Sequence, residues 1–212
     1  MRQKVSQLKI AVLGASGATG RHVVARALEH GHEVVAPVRR PGASKQTAGL
    51  SETEWSNPVD AAALAMAFVG VDVVISTLGG ANKGPTTVCT DGIRSAIAAM
   101  SEQNVSRLIV VSAHGVLETH DRSLYSRAGW FSVGEKMKDK ESMEALITAS
   151  HTDWTIVRPP MLKNTPATGI YQVGANLPIR LWHSIGREDL ASFLLHEAED
   201  PQFIRGYPRI HR

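Results

Sequence analysis

Three glycines at intervals of three, Gly14, Gly17 and Gly20, stand between a short apolar run and a helical repeat, and little else in the chain narrows the fold so sharply. The run at 8–13 ends on the first glycine, as a buried parallel strand does. Beyond the third, Val23, Val24, Ala27 and Leu28 recur at helical spacing over 18–30, and Gly31 stands where a helix C-cap belongs. Strand, tight turn and helix in that order bring backbone N–H groups and a helix N-terminus to one point. That arrangement favours a pyrophosphate. Gly14, Ser16, Gly17, Ala18, Thr19 and Gly20 are the residues expected to hold it.

The alternation continues. Strands are expected at 33–38, with Pro37 near the end, at about 54–56, and at 71–78, 107–112 and 154–158. Helices are expected from an Asn57 N-cap to near Gly70, with Pro58 at the first helical position and Asp60 two residues on, and at 86–103, 132–150 and 187–197. Strands alternating with helices imply an α/β chain, a Rossmann-type doubly wound parallel sheet with helices on both faces. The pattern loosens after Pro160 into a small C-terminal extension on the substrate side. The expectation is one domain over 1–212, with no linker or repeat.

Composition narrows the partners. The net charge is +3 and the basic residues are scattered, so no nucleic-acid partner is expected. The lone Cys89 excludes an internal disulfide and reads as a core thiol, which fits a cytoplasmic protein. The first seven residues lack a secretion signal's apolar region, and no segment approaches the ~20 apolar residues of a membrane span. The nine histidines show no ligand pairing of the His-x-x-x-His kind, so no metal is expected.

Arg39 follows the second strand, 19 residues past Gly20, where an acid grips the ribose hydroxyls in NAD proteins. An arginine there suits a 2′-phosphate, with Arg40 or Lys45 adding positive potential, and makes NADP(H) the expected cofactor. The plainer alternative is a solvated pair of loop arginines. Thr77, Leu78, Gly79 and Gly80 end the fourth strand with residues that let a ribose lie against the backbone. Ser112 and His114 close the fifth, Ser112 as a partner for a substrate carbonyl or the nicotinamide carboxamide and His114 as an acid. Satisfied polar groups at a strand end remain the alternative for both. Trp55 either stacks on adenine or fills core space.

Leu13 to Gly20, Leu78-Gly79-Gly80, Pro85-Thr86-Thr87-Val88, Trp154 to Pro160 and Arg187-Glu188-Asp189-Leu190-Ala191 resemble the atypical short-chain dehydrogenase/reductases of the NAD(P)H-binding, NmrA-like group. Within it, the likeness is nearest to the biliverdin IXβ reductase/flavin reductase family. The resemblance covers nearly the entire chain. It implies an NADPH-dependent reductase, a monomer or weak dimer, passing a hydride to a flavin, quinone or tetrapyrrole-like acceptor. It places Ser112 near hydride transfer and Pro159, in the stretch 158–162, along the nicotinamide side. The superfamily's Tyr-x-x-x-Lys pair is broken: Lys140 falls at the lysine position, but Lys136 stands where the tyrosine belongs. Lys140 therefore keeps a cofactor role, and ordinary alcohol–ketone interconversion is not expected. The same loss suits a second reading, a non-enzymatic NADP(H)-binding redox sensor. Segment 117–130, polar and including Tyr125, is expected to be a loop that acts as a lid.

Overall fold

The computed structural model describes residues 6–42, 47–80, 86–120 and 124–212. Its elements run β1 (Lys9–Leu13), α1 (Gly20–Glu29), β2 (Glu33–Val38), β3 (Leu50–Glu54), α2 (Ala61–Ala67), β4 (Val73–Ser76), α3 (Val88–Glu102), β5 (Arg107–Val111), α4 (Leu124–Thr148), β6 (Asp153–Val157), β7 (Met161–Lys163), β8 (Gln172–Gly174), β9 (Ser184–Gly186), α5 (Arg187–Glu199) and β10 (Arg209–His211). A 3₁₀ turn, Leu117–Thr119, lies between β5 and α4.

Six strands pair in the order β3-β2-β1-β4-β5-β6, all parallel. The chain starts in the middle, winds to one edge, then crosses back over β1 to build the other half. The reversal lies between β1 and β4, and at such a point the loops leaving the strand ends diverge and open a crevice. Along β1, Ala11 and Leu13 face the layer of α2, α3 and α4, while Ile10 and Val12 face α1 and α5. Both faces are covered, which is why these strands are continuously apolar. This is the doubly wound Rossmann-type architecture expected from the sequence.

Three local expectations need correcting. The third strand is β3, four residues earlier than expected. Its Leu50-Ser51-Glu52-Thr53-Glu54 carries no apolar alternation because it is an edge strand paired only with β2. Asp60, not Asn57, caps α2: its carboxylate accepts from the Ala63 N–H at 3.0 Å. Asn57 instead builds the preceding turn, accepting from Val59 through its side chain and from Asp60 through its carbonyl. The segment 117–130 is not a loop at its ends, since it begins as the 3₁₀ turn and passes into α4, which kinks at Val133. Residues 121–123 and Lys45 lie outside the described residues, and nothing is described of the Tyr125 side chain.

Beyond β6 the chain forms two small ladders, β7 with β9 and β8 with β10. Isolated bridges from Thr155 to Gly206 and from Arg158 to Arg209 tie this extension to β6. Arg158 is fully buried, hydrogen-bonded to Glu144 of α4 and Glu118 of the 3₁₀ turn, with Tyr207 4.1 Å beneath its guanidinium. Burial alone would depress this group, but the two carboxylates more than offset that and hold it charged.

Candidate nucleotide-binding cleft

Gly14 takes φ +76, a region that costs glycine nothing, and its carbonyl accepts from the Gly17 N–H at 2.9 Å to close the turn. Gly20, the first residue of α1, packs so closely that a Cβ there would stand 2.1 Å from the Gly14 carbonyl oxygen. Thr77, just past β4, clamps the same turn by donating to the carbonyls of Leu13 and Gly14 at 3.1 and 3.3 Å. Thr19 makes no capping bond through its side chain, and the first turn of α1 holds no acid. The helix end thus presents its N–H groups and positive dipole to the crevice.

A cleft of about 540 Å³ opens there, lined by Gly14, Ser16, Gly17, Val38, Arg39, Trp55, Thr77, Leu78, Gly79 and Gly80 among others. A second hollow of about 520 Å³ adjoins it, sharing Ser16 and Arg39 and adding Arg40, Glu52 and Ser56. Both arginines are exposed at its edge. The Glu52 carboxylate accepts from the Gly42 N–H at 2.5 Å. Ala18 is exposed on the turn, whereas Thr19 and Gly20 are buried beneath it. Trp55 fills core space and also lines the cleft, and it donates its indole N–H to the Asp60 carbonyl at 3.1 Å.

Ser112, His114, Lys140 and Pro159 do not line this cleft. They gather at the carboxyl ends of β5 and β6. The Ser112 N–H donates to Val157, the His114 N–H to Pro159 at 2.9 Å, and the Lys140 ammonium to the Val111 carbonyl at 2.9 Å. Ser112 is buried, and its hydroxyl has no hydrogen-bond partner among the described residues. His114 is buried and engaged through its backbone. Of the charged turn in α4, Lys138 is exposed and pairs with Glu135, while Lys140 turns inward to the sheet.

Several residues that the structure brings into play carry little local signal in the sequence. Gly92, in mid-α3, leaves room for Leu78 and Trp55, since a Cβ would sit 2.5 Å from Leu78 and 3.2 Å from the Trp55 ring. A glycine interrupting the apolar stripe at 86–103 was the available hint. Asp139 of α4 caps the N-terminus of α3 by accepting from the Cys89 and Thr90 N–H groups at 3.0 and 2.9 Å. Burial pushes the Cys89 thiol up, leaving a core thiol. The tertiary structure also gathers His30, His32 and Glu199, which the sequence spacing did not reveal.

The shape is common. The solved structure of ChuY, an anaerobillin reductase from Escherichia coli, superposes with TM-score 0.81 at 24% identity, covering 95% of this chain and 96% of that one. Relatives include UPF0659 protein YMR090W of Saccharomyces cerevisiae, 28% identical over 93% of this chain and 89% of that protein, and the "Uncharacterized sugar epimerase YhfK" of Bacillus subtilis, 28% identical over 91% and 89%. No described helix is long and apolar enough to cross a membrane. The profile of the NAD(P)H-binding family matches residues 14–201, from the first glycine of the turn to the end of α5, and the chain belongs to that family.

Proposed function

We propose that this chain is an NADPH-dependent oxidoreductase that passes a hydride to a flavin, quinone or similar planar acceptor. The observation that carries it is the Ser112 hydroxyl, buried without a partner among the described residues at the carboxyl end of β5. A buried hydroxyl left unsatisfied is costly, so its place beside the crevice points to a ligand group that completes it.

The cradle fits the dinucleotide. Backbone at Gly14 and Gly17 admits a pyrophosphate, and the uncapped end of α1 stabilises its charge. Arg39 and Arg40 flank the hollow where a 2′-phosphate would lie, two cations against the one carboxylate of Glu52. The bound nicotinamide supplies the hydride.

The chain's residues orient and polarise. Ser112 donates its hydroxyl proton to a carbonyl of the acceptor or carboxamide. Lys140, held 2.9 Å from the Val111 carbonyl, places a positive charge at the same strand end. His114 is tied to Pro159 through its backbone N–H, which joins the two strand ends, and its buried ring at the same strand end is the acid of this reading. A flavin or quinone accepts a hydride without a strong protein acid, which suits a site with Lys136 in the tyrosine position.

The test is oxidation of NADPH and, separately, NADH by the purified chain with FMN or menadione, in wild type and Arg39→Ser. Fast NADPH-selective turnover is expected. Loss of the charge-assisted contact raises the NADPH KM about tenfold or more and leaves NADH unaltered. Tight NADPH binding without turnover with any acceptor would replace the reductase by a dinucleotide-sensing protein.

A further inference from the structure

We propose that Glu52 is a specificity-determining residue, a carboxylate that narrows the preference for a 2′-phosphate that Arg39 and Arg40 create. This rests on the NADP(H) reading for the place of that phosphate. It adds an opposing charge, supplied by a strand that carries neither the glycine turn nor the arginines.

Strand pairing brings the acid to the site. The parallel register of β3 on β2 sets Ala36 level with Glu52 and Val38 level with Glu54. The Trp55 N–H donates to the Val38 carbonyl at 2.8 Å, so the two strands end together there. Arg39 and Arg40 leave β2 just past that point, and the chain then folds back. Gly42 takes φ +89, and its N–H donates to the Glu52 carboxylate at 2.5 Å. The result is one hollow of about 520 Å³ lined by Ser16 of the glycine turn, both arginines and half-buried Glu52. Ser16 and Arg39 also line the adjoining cleft, so the acid shares its space with the nucleotide cradle.

A neutral acceptor would hold the Gly42 N–H as well as a carboxylate does. The carboxylate does something further, since it sets a negative charge in the hollow that the two guanidinium groups border. In a space of that volume, a phosphate bound by the arginines and the Glu52 carboxylate stand within ~10 Å, the reach of an exposed charge at about 0.1 M salt. Like charges at that range repel, and the repulsion falls as salt rises. A ribose with a free 2′-hydroxyl brings no charge and can donate to the same carboxylate. Glu52 therefore works against the phosphorylated dinucleotide and tolerates the other. Specificity is a difference of two affinities, and the acid reduces that difference from the side the arginines favour.

The experiment titrates the full chain, wild type and Glu52→Gln, with 2′,5′-ADP and with 5′-AMP by calorimetry, at low and at high salt. These two probes differ only in the 2′-phosphate, and Gln still accepts from the Gly42 N–H, so the charge is what changes. Glu52→Gln should bind 2′,5′-ADP about fivefold more tightly at low salt, and the gain should shrink at high salt. Affinity for 5′-AMP should stay as in wild type, which also shows that the variant is folded. Unchanged 2′,5′-ADP affinity in Glu52→Gln overturns the proposal and leaves the NADP(H) reading standing if wild type prefers 2′,5′-ADP. Weaker binding of both probes also overturns it, making Glu52 a tether for the arginine loop and nothing more. A wild type without preference that acquires one in Glu52→Gln supports the proposal and removes the NADPH selectivity of the native chain. Binding of neither probe to either protein overturns both.

Discussion

At Gly20 a methyl group meets backbone rather than a movable side chain. The 2.1 Å approach to the Gly14 carbonyl cannot be relieved by a rotamer change. Gly20→Ala is expected to cost about 3 kcal/mol through overpacking and to weaken dinucleotide binding, because the turn and the first turn of α1 must part. Thermal unfolding and a cofactor titration read the two effects, and an unchanged melting temperature would show that the turn relaxes. A second residue-scale constraint is Glu199. Its Oε1 accepts from the His30 ring at 2.7 Å and the His32 ring at 2.9 Å. His32 Nδ1 accepts the Leu8 N–H, so its proton sits on Nε2 and points at the carboxylate. A metal on Nε2 would put that proton on Nδ1, against the Leu8 N–H, so the trio is better built to hold a proton than a cation. Burial works to raise the Glu199 carboxyl, but the hydrogen bonds from His32 and His30 outweigh it and hold it below the ordinary carboxylate value. Its contribution is therefore present above that ordinary value and is lost as pH falls through the lowered one. Glu199→Gln should destabilise by about 2 kcal/mol at neutral pH. The gap to wild type should close below pH ~4, as followed by denaturant unfolding across pH.

At the scale of elements, the N-terminus of α3 depends on another helix. Thr87 makes no cap of its own, and buried Asp139 of α4 takes its place, adding a bond from the Thr90 hydroxyl at 2.7 Å. Asp139→Ala removes a cap and leaves buried N–H groups unpaired. We expect a loss of about 2–3 kcal/mol, with Asp139→Asn milder because its amide oxygen still accepts; urea unfolding of both variants checks this. The helices at 86–103 and 187–197 were legible from their apolar stripes, within two residues at each end. The cap was not, since its donor and acceptor lie 49 and 50 residues apart. β3 was misplaced for a related reason. As an edge strand it is ordered by its pairing with β2, a contact that leaves no period in its own side chains.

Across the whole molecule, the two apolar layers hold α1 and α5 on one face and α2, α3 and α4 on the other, and the cleft opens where the winding reverses. The glycine turn, the buried central strands and the basic residues after β2 were all readable in advance. They are local features, in which a tight turn needs glycine and a strand covered on both faces must be apolar throughout. Which distant residues meet was decided by the tertiary structure. Packing set the Lys140 ammonium against the Val111 carbonyl of β5, left the Ser112 hydroxyl buried with no partner among the described residues, and gathered His30, His32 and Glu199. Sequence period records how a residue faces its own element's core, whereas contacts between elements depend on register and crossover, which no local spacing encodes.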